Sequence, residues 1–195
     1  MNRVGRSWIW DGGQLCVDFV NTLRDRWRGG REELREPADL AEWFTAAGLT
    51  AHDVALTEGH VAQARELRAA IDEILRGCAG RHPVSGDAID TVNRFLREGH
   101  QAPPQLRHRH DGQLGIDVVE AGDPAATTFG RIARDMVDFL VADRPGVVRV
   151  CDSDRCGLRF VDRSPARNRR WCSMSRCGNR AKARLHYART TSADG

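Results

Sequence analysis

Apolar residues recur with helical periodicity through most of the first 142 positions, and with strand-like alternation around residues 105–119 and again after residue 146. The clearest helix runs from Thr57 to Cys78. There Val61, Ala64, Leu67, Ile71, Ile74, Leu75 and Cys78 keep the i, i+3, i+4 rhythm of a buried stripe. Arg65, Glu66, Arg68, Asp72, Glu73 and Arg76 take the other positions and read as a solvated face. Pro37 opens a helix at a position it tolerates, with Leu40, Trp43, Phe44 and Ala47 inward and Gly48 at its stop. A first helix carries Cys16, Phe19, Val20 and Leu23 on one side. Ser85 begins another, with Ile89, Val92, Phe95 and Leu96 inward, and Pro124 to Ala142 forms the last, facing Phe129, Ile132, Ala133, Met136, Phe139 and Leu140 to the core.

Residues 28–36 are rich in glycine and charge and read as a loop. Gln105–Val119 predicts a β-hairpin around Asp111-Gly112. A three-residue turn, Asp111-Gly112-Gln113, puts Leu106, His108 and His110 on the face of Leu114, Ile116 and Val118, which makes one coherent apolar face. Asp143-Arg-Pro145-Gly146 breaks the helical run, and short β-like segments Val147–Val150 and Leu158–Val161 follow. The pattern predicts a mainly α, α+β chain: a helical domain over residues 1–145 and a small module over 146–195.

Composition narrows the class. The N-terminus lacks the long apolar run of a secretory signal, and no apolar stretch is long enough to span a bilayer, so a cytoplasmic address is expected. The net charge of +3 is unevenly placed. Residues 151–195 hold eleven Lys+Arg against four Asp+Glu, while residues 1–150 hold nineteen against twenty-three. An acidic body carrying a basic tail points to a polyanion as partner.

Four of the six cysteines fall in that tail. Cys151 and Cys156 form one pair and Cys172 and Cys177 another, each with four intervening residues and with fifteen residues between the pairs. Four thiolates so arranged can close a tetrahedral shell around one Zn²⁺, and a closed shell argues a structural rather than hydrolytic ion. Redox cysteines or an iron–sulfur cluster are the alternatives, although the spacing does not follow the ferredoxin runs. Cys16 and Cys78, each among apolar neighbours, read as small buried hydrophobes. The second pair lies where a helix begins, with Cys177, Ala181, Leu185 and Ala188 on its inner stripe. A hairpin knuckle joined through a metal to a helix N-terminus is a treble-clef-like zinc finger. So small a unit depends on its metal for roughly 10 kcal/mol or more of folding free energy.

Cys172-x₄-Cys177-Gly178-Asn179-Arg180, preceded by Cys151-x₄-Cys156, resembles the CGNR zinc finger. Gly13-Gln-Leu15-Cys-Val-Asp18-Phe-Val-Asn21-Thr22 resembles the start of the ABATE domain that precedes that finger. Pro37-Ala-Asp39-Leu40-Ala-Glu-Trp43, followed by Gly48-Leu49, fits the same domain. The resemblance implies a bacterial stress-response transcription regulator with zinc at Cys151, Cys156, Cys172 and Cys177.

The basic module offers contacts to DNA at Arg163, Arg167, Arg169 and Arg170 before Trp171, and at Arg176, Asn179, Arg180, Lys182, Arg184 and Arg189 along the helix. Guanidinium forks suit phosphates and guanine edges, and Asn179 suits adenine. Asn179 and Arg180 equally suit support of the metal site, and Trp171 suits either stacking on a base or packing the small core. In the body, Asp18, Asn21 and Thr22 offer either a small-molecule pocket or local backbone bonds. The main expectation is a zinc-dependent DNA-binding regulator whose body senses an effector or forms a homodimer. A zinc module docking an acidic protein surface is the alternative. No nucleophile–base constellation, phosphate loop or open metal site marks an enzyme.

Overall fold

The structure, a computed structural model, describes residues 8–50, 54–80, 82–100, 105–109, 111–117, 123–142 and 147–184. Among the described residues five α-helices hold the body: α1 Leu15–Val20, α2 Pro37–Ala46, α3 Glu58–Cys78, α4 Gly86–Glu98 and α5 Pro124–Ala142. Among the described residues three antiparallel hairpins accompany them: β1 Leu23–Arg24 with β2 Arg31–Glu32, β3 Gln105–His108 with β4 Leu114–Asp117, and β5 Val148–Val150 with β6 Arg159–Val161. The mainly helical α+β class is as expected. Among the described residues no helix is long and apolar enough to cross a membrane.

Caps explain where the long helices begin. Thr57 accepts from the His60 amide and starts α3, and Ser85 does the same for α4 through Ala88. The short α1 has no cap from its own Gln14 side chain. Asp135 of α5 supplies one from across the core, accepting from the Cys16 amide and from Gln14 Nε2, each at 2.8 Å. A carboxylate at a helix N-terminus satisfies orphan donors and complements the dipole. α1 stops earlier than its apolar pattern suggests. The Thr22 hydroxyl bonds the Phe19 carbonyl, and Leu23 turns into β1.

The core is threaded by aromatic rings: Phe19 lies 5.1 Å from Trp43, and Phe44 and Phe95 each lie 5.5 Å from Phe129. α4 and α5 meet at Gly99 and Gly130, whose backbones touch. Val147, Val148 and Val161 join this same core, so the last hairpin is rooted in the body.

Several expectations need correction. Residues 28–36 include a strand, β2, paired with β1 in the register Leu23↔Glu32. In the β3–β4 hairpin, Leu106, His108, Leu114 and Ile116 do share a face. Pairing is shifted, however, with His108 opposite Leu114 and the turn closed by the Arg109 amide on the Gln113 carbonyl. That apolar face is open, with Leu106, Leu114 and Ile116 63–70% exposed. His110 and Val118 lie outside the described residues. Ile89, expected inward, is exposed. Arg68 and Asp72, read as part of a solvated face, are buried: Arg68 pairs with Glu32 and Asp72 with Arg159.

Candidate metal centre

The first cysteine pair sits on the turn that joins β5 to β6. The Cys151 amide donates to the Leu158 carbonyl and the Cys156 amide to the Ser153 carbonyl, which folds the knuckle. The second pair enters a π-helical turn, Met174–Gly178, that runs on as helix through residues 179–184. Ser173 starts that turn, with its carbonyl accepting from both the Cys177 and the Gly178 amides. The Cys172 amide donates to Cys151 Sγ at 3.4 Å, drawing the two halves together.

The four sulfurs are buried and lie within 4.8 Å of one another. A tetrahedral site with metal–sulfur bonds of about 2.3 Å has sulfur–sulfur edges of about 3.8 Å. Cys156 to Cys172 and Cys172 to Cys177 both measure 3.7 Å, and all six cysteines are free. That spacing is far beyond a disulfide bond of about 2.05 Å. Electrostatics point the same way. S–H donation from Cys156 and Cys172 holds Cys151 well below the ordinary thiol range. Sharing that thiolate pushes Cys156 and Cys172 up. Four sulfurs this close ionise together only around a cation, and the donor set is suited to one zinc ion.

The metal would also stand in for a core. The apolar cluster around the site holds Leu158 and Phe160 besides the four cysteines, with Ile9 and Trp171 half-buried against it. Trp171 therefore packs the small core, and Arg170 lies over its ring. In the Cys-Gly-Asn-Arg signature, a Cβ on Gly178 would meet Met174 Sδ at 2.5 Å and Trp171 Cδ1 at 3.2 Å. Arg180 reaches Cys177 Sγ at 3.7 Å, beside one of the four candidate metal ligands. Asn179 is exposed; its amide donates to the Met174 carbonyl, and its side chain has no partner among the described residues.

Most arginines expected to face DNA are engaged with the protein. Arg163 bonds the Gly13 carbonyl and Gln14 Oε1, across the seam to the body. Arg169 donates to the Trp171 and Cys172 carbonyls and lies over Phe160. Arg170 pairs with Asp152, Arg176 with Asp11, and Arg184 with Asp154. Arg167 and Lys182 are exposed, and neither pairs with a carboxylate among the described residues. Arg189, with Leu185 and Ala188 of the expected stripe, lies outside the described residues.

Asp18, Asn21 and Thr22 also bond the protein itself. The Asn21 side chain spans the seam like a strand partner. Its Nδ2 donates to the Arg159 carbonyl and its Oδ1 accepts from the Arg159 amide, both at 2.8 Å. The Arg159 guanidinium then grips Asp72 of α3 through two bonds. Asp18 accepts from the Gly12 amide at 2.7 Å, and Gly12 in turn accepts from Val161 of β6. Burial and, more weakly, the Asp135 charge push the Asp18 carboxyl up to about 6, against the lowering pull of the Gly12 bond. Asp162, fully buried, organises the loop before Trp171. It accepts from Ser164 and Arg169, and Arg149 pairs with it. Burial opposes its ionisation, but those bonds win and hold its carboxyl below the ordinary range.

Sequence reasoning passed over Arg155, Arg159 and Asp162. Arg155 abuts the ligand Cys156, and that adjacency was a usable signal. Nothing local marks Arg159, whose partners lie 87 and 138 residues away.

The family described as "Putative stress-induced transcription regulator", ABATE, matches residues 13–143, and the CGNR zinc finger matches residues 148–190. No curated protein matches the sequence. The chain belongs to the ABATE family and carries a CGNR zinc finger after its helical region.

Proposed function

We propose that the protein is a cytoplasmic, zinc-dependent DNA-binding transcriptional regulator, with residues 1–145 as a sensing or dimerising body and residues 146–195 as the finger that meets DNA. One observation carries the reading. On a unit held by a four-cysteine centre, the side chains of Arg167, Asn179 and Lys182 face solvent with no ion pair or side-chain bond among the described residues, while the arginines around them hold the scaffold. Cations left free on a rigid mount suit backbone phosphates.

Arg167→Glu with Lys182→Glu should weaken binding of a labelled random duplex pool at least tenfold at low salt, as read by fluorescence anisotropy. Wild-type affinity should fall steeply with salt, and a chelator should abolish it. No binding to any duplex would sink the DNA reading and leave an acidic protein surface as the partner. Unchanged affinity in the double variant would remove these residues from the interface.

The body offers an effector a place. A groove of about 640 Å³ lies between α1, α4 and α5, walled by Leu15, Leu96, Val137, Arg131 and Asp135. Asp135 holds Gln14, and Gln14 accepts from Arg163 of the finger loop, so two hydrogen bonds join groove to finger. Filling the groove with Val137→Phe should shift duplex affinity. Unchanged affinity in the folded variant would strike the sensor from the reading.

A further inference from the structure

A second cavity lies at the seam. The turn between β1 and β2 folds against the first cysteine knuckle, so that a Cβ on Gly157 would stand 3.8 Å from the Trp27 backbone nitrogen. The cleft there, about 190 Å³, is walled by Arg24, Arg155, Arg176 and Arg180, with Asp25 beside them and the ligands Cys156 and Cys177 behind. Neither the body nor the finger forms it alone. We propose that this cleft binds a phosphoryl group, that of a nucleic-acid backbone, with Arg155 as its principal cation.

The four guanidiniums are not equivalent. Glu33 holds Arg24, Asp11 holds Arg176, and Arg180 rests on Cys177 Sγ. These contacts orient three cations toward one space. Arg155 is exposed, and the acid beside it, Asp154, attracts its charge but is held by Arg184, so the Arg155 guanidinium makes no close ion pair among the described residues. Asp25, the acid on the wall, is engaged by Arg28 and Arg31 at 3.0 Å each, which offsets its repulsion of an incoming anion. A convergent set of guanidiniums recognises phosphate by charge-assisted, forked hydrogen bonds. The neighbouring turn favours a polynucleotide over a free phosphate. Trp27 is 46% exposed there, with the Arg28 guanidinium 5.2 Å from its ring centroid. An exposed indole beside a phosphate cleft is a stacking platform for an unpaired base, as at a strand end.

This inference rests on the DNA-binding reading but has its own readout. Full-length zinc-loaded protein carrying Arg155→Gln is compared with wild type and with Arg94→Gln, a charge change on α4. Duplex affinity is measured across a salt series. Arg155→Gln should lower affinity roughly tenfold at low salt, by a similar factor on every sequence. It should also reduce the slope of log affinity against log salt by about one. Arg94→Gln should change neither. Zinc content and far-UV circular dichroism should match wild type, and Arg155→Lys should restore part of the slope. If wild type binds DNA and Arg155→Gln keeps its slope and affinity, the cleft is overturned and the DNA reading stands. A parallel titration with inorganic phosphate, read by ³¹P line broadening, separates the remaining outcomes. Saturable broadening that needs Arg155, in a protein that binds no duplex, keeps a phosphate cleft but overturns its polynucleotide source along with the DNA reading. Binding of neither overturns both.

Discussion

The residues that decide how this protein holds together are polar ones beside the apolar stripe of α1. Asn21 is the clearest case. Its amide occupies both backbone groups of Arg159, a residue of β6. Asn21→Ala would leave a buried N–H and C=O unpaired, which costs about 2–4 kcal/mol. Urea unfolding should show that loss, and a change under 0.5 kcal/mol would mean that water reaches the seam. Asp18 behaves differently, because burial makes its charge a liability. Its carboxyl titrates at about 6 in the fold, against 3.8 ordinarily. Between those values the folded protein takes up a proton that the unfolded chain does not. Stability therefore falls as pH rises through that window, and the whole loss is present above 6. Asparagine keeps an acceptor for the Gly12 amide and never ionises. Asp18→Asn should gain about 1–3 kcal/mol at pH 7.5, with the gain gone by pH 4. A gain equal at both pH values would rule out the buried charge as its cause. The sequence left Asp18 and Asn21 between a pocket and backbone bonding. It contained no sign that Arg159, 138 residues on, would take up Asn21.

At the scale of elements, helices were legible and their surroundings were not. α5 was predicted with the bounds it has, because its apolar rhythm and its opening proline are local signals. The contact of α5 with α4 depends on two glycines that no periodicity marks. A Cβ on Gly130 would lie 2.7 Å from the Gly99 Cα, and one on Gly99 would lie 2.5 Å from the Gly130 Cα. Alanine gains about 1 kcal/mol of helix propensity over glycine. Overpacking against backbone, which cannot rotate away, costs about 1–3 kcal/mol or more. The second effect should win, so Gly130→Ala should lower the melting temperature, and a rise would show that the helices slide apart freely. The β3–β4 hairpin makes the same point. Alternation correctly grouped Leu106, His108, Leu114 and Ile116, since the period of two is intrinsic to a strand. It did not tell which way that face points, and it points outward.

At the scale of the molecule, the last hairpin shares the body's core, and the four-cysteine unit is expected to need its metal to fold. Among the described residues the finger's own core holds Leu158, Phe160 and the half-buried Trp171 besides its four cysteines, too little to fold unaided. Its hairpin is rooted in the body through Val148 and Val161 and through the Arg159–Asp72 pair. Cys172→Ser should drop zinc from one ion per chain to none by elemental analysis. Amide exchange should then speed up across residues 151–184 and stay slow in α3 and α5. Full zinc retention would overturn the ligand assignment. Fast exchange in α3 would show that the metal also holds the body.

Some of this protein was decided by sequence alone. The helices follow from local apolar rhythm, and the zinc centre follows from four thiols whose spacing lets one ion gather them, since chelation asks only that donors come within reach. The division of labour among the arginines was decided only by the fold. Arg163, Arg169, Arg170, Arg176 and Arg184 look alike in sequence, yet each is claimed by a carbonyl or a carboxylate brought to it. Arg155, Arg167 and Lys182 are left to solvent. A long cation can serve the surface or the scaffold. Which it does depends on the partners that chain folding delivers, and those partners lie as far as 150 residues away in the chain.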